Sequence, residues 1–149
     1  MTSTSPRIVS GLTLSPGTAR APLITLAEPL SFWGGFDAAT GKVMDHRHPN
    51  LGLCLTGAIV RMIAARGSSS GSSVLAEAIR LGTAPAGFVV RERDAILLLA
   101  ALVAADLYRT PCVIVQLDSA AYAGLDGASH VAIRAGQAEA EIETEIVAS

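Results

Sequence analysis

The segment Arg66-Gly67-Ser68-Ser69-Ser70-Gly71-Ser72-Ser73 holds the residue types best suited to chemistry in this sequence. By composition alone it also fits a flexible glycine–serine linker. It follows an apolar stretch, Gly57 to Ala65, that reads as a strand, and it precedes Val74 to Leu81, whose apolar residues fall at helical spacing. In open α/β sheets, a loop that joins a strand to the next helix faces ligands at the carboxyl edge of the strands. Glycines there let the backbone approach a ligand, and the first N–H groups of the helix offer donors and a positive dipole end to an anion. A serine hydroxyl in that field is stabilised as an alkoxide, which moves it toward the basicity that proton abstraction requires; a free hydroxyl is far too weak a base. The competing reading of the same spacing is an ordinary serine-rich helix cap.

The other reactive side chains are scattered. Cys54 and Cys112 are far apart in apolar surroundings, which predicts two buried free thiols. They lack the spacing of a cluster-binding run, and His46, His48 and His130 complete no ligand set with them, so this chain is not expected to hold a metal cofactor itself. His46 and His48 lie in the polar tract Asp45-His46-Arg47-His48-Pro49-Asn50, a surface connection in which surface or packing roles are expected. Trp33 and Phe36 flank Gly34-Gly35 and suit a cavity wall, a subunit interface or plain core. Glu92 and Asp94 follow a buried strand, and helix capping accounts for Asp94.

The chain has 149 residues, half of them apolar and 16% charged, which excludes a disordered protein and fits one domain over residues 1–149. Eleven basic residues against 13 acidic ones give a net charge of −2, and no basic run offers a surface for phosphates, so a nucleic-acid partner is not expected. The longest uncharged apolar stretch, Ala95 to Ala105, has about half of the ~20 residues that cross a membrane and reads as a buried core helix. The opening MTSTSPRIVSG has neither the basic start nor the apolar core of a secretory signal; the expectation is a cytoplasmic protein with residues 1–6 disordered.

The elements that must position these residues follow from periodicity. Ile8 to Leu26 reads as two strands joined by a tight turn at Ser15-Pro16-Gly17, and Asp37 to Lys42 as a turn with Gly41 at its strained position. Ala86 to Val90 reads as a buried strand, Ala95 to about Tyr108 as a helix, and Thr110 to Gln116 as a further strand. His130 to Arg134 and Glu139 to Val147 alternate with a period of two, the latter with acidic residues on one face. Alternating strands and helices predict an α/β fold in which mixed strands surround a small parallel core.

Four segments in order, Leu30-Ser31-Phe32-Trp33-Gly34-Gly35-Phe36-Asp37, Asp45-His46-Arg47-His48-Pro49, Arg66 to Ser72, and Ala84-Pro85-Ala86, resemble the small swivelling subunit of aconitase X proteins. The resemblance spans about Ile8 to Val115. It implies a swivelling β/β/α domain and a hydro-lyase split over two chains, with an iron–sulfur cluster and most substrate contacts on a large subunit. It implies that Ser68, the first serine after Arg-Gly, is the proton acceptor, with Arg66, Gly67, Ser69, Ser70 and Gly71 binding substrate. Arg66 equally suits a structural salt bridge. In aconitase itself the serine pair is followed by an arginine that holds a substrate carboxylate, whereas Ser70 stands here. A smaller hydroxy acid is therefore expected, cis-3-hydroxy-L-proline first and phosphomevalonate second. The reading from a different class is a non-catalytic anion-binding or regulatory domain.

Overall fold

A computed structural model describes residues 5–146. Residues 1–4 of the segment expected to be disordered, and Val147 of the last expected strand, lie outside the described residues. Two long alternating strands open the chain, β1 (Ile8–Ser15) and β2 (Gly17–Thr25). Short elements follow: β3 (Leu30–Ser31), the four-residue turn α1 (Phe32–Gly35), in which Trp33 and Gly34 leave helical dihedrals, β4 (Phe36–Asp37) and β5 (Lys42–Val43). Next come β6 (Ile59–Arg61), β7 (Ala65–Arg66), α2 (Ser70–Leu81), β8 (Gly87–Val90), α3 (Ala95–Leu107) and β9 (Val113–Gln116). A short helix α4 (Ser119–Ala123) and the hairpin strands β10 (His130–Ala135) and β11 (Glu139–Glu145) complete it.

Seven strands close into a barrel in the order β1-β11-β10-β2-β6-β8-β9. The run β2-β6-β8-β9 is parallel and the remaining pairs are antiparallel, which is the expected parallel core within mixed strands. Alternation on the parallel strands explains the layering, because successive side chains point to opposite faces. Ile59, Val89, Val113 and Val115 point into the barrel with Val131, Ile133 and Ile142. Val60, Phe88, Val90 and Ile114 point outward beneath Leu75, Ile79, Leu97 and Ala100 of α2 and α3. Both faces are thus dry, as parallel strands require. Acidic residues of β11 face outward and pair with Arg134 and Arg20, while Ala140 and Ile142 face in.

Several expectations are corrected. β1 and β2 do not pair with each other; the β10–β11 hairpin lies between them, and the turn at Pro16, which has no N–H to give a ladder, is a barrel corner. Gly57 to Ala65 is not one strand, since the chain leaves the barrel after Arg61, where Ile63 accepts the Arg91 and Glu92 N–H groups, and pairs anew at β7. α2 starts at Ser70 rather than Val74 because its first turn is packed on α3. α3 is not buried all round. It packs through a narrow stripe of Leu97, Ala100, Ala101 and Ala104, leaving Leu99, Leu102 and Leu107 exposed by 48%, 67% and 66%. The turn before β5 is as read, with Gly41 at φ 75°. Among the described residues no helix is long and apolar enough to cross a membrane.

Phe88 lies at the centre of the outer core, fully buried, with its ring edge-on to Phe32 at 5.9 Å. Phe88→Ala is expected to cost about 3–5 kcal/mol of stability through the cavity it leaves. Urea unfolding measures this, and a loss under about 1 kcal/mol would contradict the packing described.

Candidate active site

Strand β7 delivers the serine loop. It pairs in parallel with β3, setting Ser31 beside Arg66, and the chain then turns through Gly67 at φ 100°. A Cβ on Gly67 would stand 2.7 Å from the Ser31 hydroxyl, so dihedral and space both demand glycine. The Ser31 hydroxyl donates to the Trp33 carbonyl at 2.9 Å, fixing the turn against which the loop rests. Ser68 follows and is exposed. Its carbonyl accepts from Gly71 N–H at 3.0 Å and that of Ser69 from Ser72 N–H at 3.0 Å, which opens α2.

The serines divide by role. Ser69 occupies the N-cap position, but its side chain makes no cap hydrogen bond. Hydroxyl capping therefore does not account for the serine run at this position. Ser68, Ser69 and Ser70 are exposed beside exposed Arg66 and Gly67. Ser72 is instead buried, donating to the Ile96 carbonyl at 2.8 Å. Gly71 is buried too, where a Cβ would meet Ile96 at 3.3 Å and Phe32 at 3.4 Å, so it lets α2 approach α1 and α3 closely.

Arg66 reaches Asp45 with a nitrogen–oxygen distance of 3.5 Å, and 48% of its side chain is exposed. A pair this long and exposed contributes about 0–1 kcal/mol and leaves other guanidinium donors unused. The second oxygen of Asp45 accepts from Arg47 N–H at 2.9 Å, which orients the carboxylate. Asp94, read from sequence as a cap, does more. Its Oδ1 accepts from the N–H groups of Ile96 at 2.8 Å and Leu97 at 3.1 Å, and its Oδ2 accepts from Ala65 N–H at 2.7 Å.

The remaining candidates separate. Trp33 is 63% exposed, whereas Phe36 is buried edge-on to Phe32 at 5.2 Å. His46 is exposed and His48 is buried. His48 Nδ1 accepts from Asn50 N–H at 3.0 Å, so its Nε2 carries the proton and donates to the Glu28 carbonyl at 3.0 Å. That ring packs and ties the loop rather than standing on the surface. Cys112 is buried, but Cys54 is exposed, which corrects the expectation of two buried thiols. Cys54 follows the surface turns of residues 48–52 and meets Lys42 in an isolated bridge. Among the described residues, no three His, Cys, Asp or Glu side chains gather as metal ligands. A cleft of about 830 Å³ lies across β1, β9 and β11, lined by Arg91, Gln116 and Glu141, and Ser68 is not on its wall.

A family profile described as "Aconitase X swivel domain" matches residues 8–143. The cis-3-hydroxy-L-proline dehydratase of Pseudomonas aeruginosa is 45% identical over 96 residues, 64% of this chain and 17% of that protein. The phosphomevalonate dehydratase small subunit of Pyrococcus furiosus is 32% identical over 119 residues, 80% of this chain and 89% of that one. The chain thus spans under a fifth of the first relative and most of the second. The structure of aconitase X from Thermococcus kodakaraensis, in its holo form, superposes with a TM-score of 0.73 at 26% identity, covering 91% of this chain and 98% of that one.

The two thiols should differ sharply in reactivity. Burial pushes the Cys112 thiol up to about 12, while hydrogen bonds from Thr56, offset in part by desolvation, lower that of Cys54. Because the thiolate is the nucleophile, iodoacetamide at pH 8 should modify one cysteine in the folded chain and both after denaturation, as counted by intact mass. Equal labelling of both thiols in the folded chain would contradict this arrangement.

Proposed function

The chain belongs to the aconitase X swivel-domain family, and from that premise we propose that it is the small subunit of a two-chain hydro-lyase in which Ser68 takes a proton from a small hydroxy acid. The observation that carries this reading is the exposure of Ser68 where a strand hands over to α2, with Arg66 beside it. An alkoxide at Ser68 is favoured by the positive end of α2 and by the guanidinium of Arg66. The exposed backbone at Ser69 and Ser70 would meet the substrate's anionic group, with Gly67 allowing its close approach. Gly71 serves that site through the spacing of α2.

The reaction then balances as a dehydration. The Ser68 alkoxide takes the proton from carbon, the C–H electron pair becomes the new double bond, the C–O pair departs with the hydroxyl as hydroxide, and release of the Ser68 proton to that hydroxide gives water and restores the alkoxide. Departure of the hydroxyl calls for a Lewis acid, which an iron–sulfur cluster would supply. The donors among the described residues do not fit such a cluster: one cysteine is buried, the other is exposed, and no ligand group accompanies either there. The cluster in this reading is held by a large subunit that covers the Ser68 surface, and each chain alone is inactive. A cytoplasmic setting and one swivel domain over the chain complete the proposal.

Cis-3-hydroxy-L-proline is the favoured substrate, supported by relatives named as its dehydratase at 45% and 38% identity, while Ser70 in place of aconitase's arginine argues against a tricarboxylate. Phosphomevalonate is the alternative, supported by relatives of this chain's own size. Co-expression with a large subunit of the family allows both substrates to be assayed. Ser68→Ala should lower turnover about 10²–10⁴-fold, the usual contribution of a general base, while leaving the complex intact by size-exclusion chromatography. Near-parental turnover in that variant would overturn the assignment, and an assembled parent inactive on both acids would favour a non-catalytic anion-binding domain.

A further inference from the structure

Resting on that reading, we infer that Asp94 is a positioning residue for the reaction, a single carboxylate that sets where Ser68 stands. Two connections leave the serine loop, and both end on the first turn of α3. Upstream, Ala65 N–H donates to Asp94 Oδ2 at 2.7 Å, one residue before Arg66-Gly67-Ser68. Downstream, the Ser72 hydroxyl donates to the Ile96 carbonyl at 2.8 Å, and Gly71 packs on the Ile96 side chain. The turn receiving both is held by the other oxygen of Asp94, through Ile96 N–H at 2.8 Å and Leu97 N–H at 3.1 Å.

Asp94 is buried, and charge-assisted hydrogen bonds to an ionised carboxylate are among the stronger ones. An ordinary N-cap needs only the two bonds to α3. The third, to a strand 29 positions earlier, does nothing for that helix; it fixes the entry of the loop that ends in Ser68. Between the anchors at Ala65 and Gly71 the loop is short, and Gly67 is confined by Ser31, so the path of Ser68 is determined at both ends. A misplacement near 1 Å of a reacting group costs about a hundredfold in rate.

Two substitutions separate this role from capping. In Asp94→Asn one amide oxygen can keep the α3 cap, but the NH2 group then faces the Ala65 N–H, donor against donor. In Asp94→Ser the hydroxyl is a good cap and too short to reach Ala65. Asp118→Ala serves as the control, because it removes a cap from α4, whose hydrogen bonds run to Asp118, to Arg61 and within its own turn rather than to residues 65–72. In the two-chain complex, assayed on cis-3-hydroxy-L-proline and phosphomevalonate, both Asp94 variants should lose about 10- to 100-fold in kcat with KM changed less than about threefold. Amide hydrogen exchange of residues 65–70 should accelerate in both, while that of residues 97–104 stays near parental and Asp118→Ala keeps parental kcat. Parental kcat with unaltered exchange at 65–70 in both Asp94 variants would overturn the inference. A kcat loss without faster exchange there, or an equal loss in Asp118→Ala, would overturn it too. If Ser68→Ala retains turnover, the base assignment fails instead, and the exchange result still decides whether Asp94 clamps the loop.

Discussion

Strands β6, β8 and β9 must be dry on both faces, and the architecture follows from that requirement. A parallel strand whose successive residues are all apolar has no side to turn to water. Val89 and Phe88 are neighbours in sequence, yet one fills the barrel and the other lies beneath the helices. Closing the inner face calls for the antiparallel strands β1, β10 and β11, and covering the outer face calls for α2 and α3. Because α2 and α3 are needed as a lid over Phe88 and Ile114, their first turns come to rest where β6 and β7 end. The serine loop lies at that junction as a result of packing.

Much of this was legible from periodicity. The apolar run of β8, the alternation of β11 and the cap at Asp94 all depend on neighbours close in sequence, and each lies where it was read. The separation of β1 from β2 was not legible, because the hairpin that lies between them comes more than a hundred residues later. The break after Arg61 was hidden for the same reason: the backbone partners of Ile63 lie on the loop after β8. α3 misled through its composition. Eleven apolar residues suggest burial on every side, whereas alanines allow close packing along one stripe and leave leucines on the other.

At the site, residue types pointed to the loop, and the fold then sorted its members. Ser68, Ser69 and Ser70 look equivalent to Ser72 in sequence, but helical geometry turns Ser72 inward to Ile96 and leaves the first three facing water. Arg66 was open between two roles, and its long contact with Asp45 holds the guanidinium in place without using all its donors. His48 is the reverse case. Its tract is polar enough for a surface connection, but both ring nitrogens bond to backbone, so the ring anchors the loop from below. The bond from Ala65 N–H to Asp94 had no sequence signal, since its donor is a backbone N–H with no residue preference.

Barrel closure carries a consequence for how such a unit can be encoded. Each of the seven strands has a neighbour on both sides, so the barrel offers no unpaired ladder onto which another copy could zip. A polypeptide of this kind can leave the ribosome and fold without its barrel growing into edge-to-edge aggregates. The same self-sufficiency lets it be spliced in line with a far longer chain, since nothing in its strand network depends on what is attached. Gene fusion and gene fission are physically inexpensive for this architecture, and relatives of both lengths are what that freedom permits.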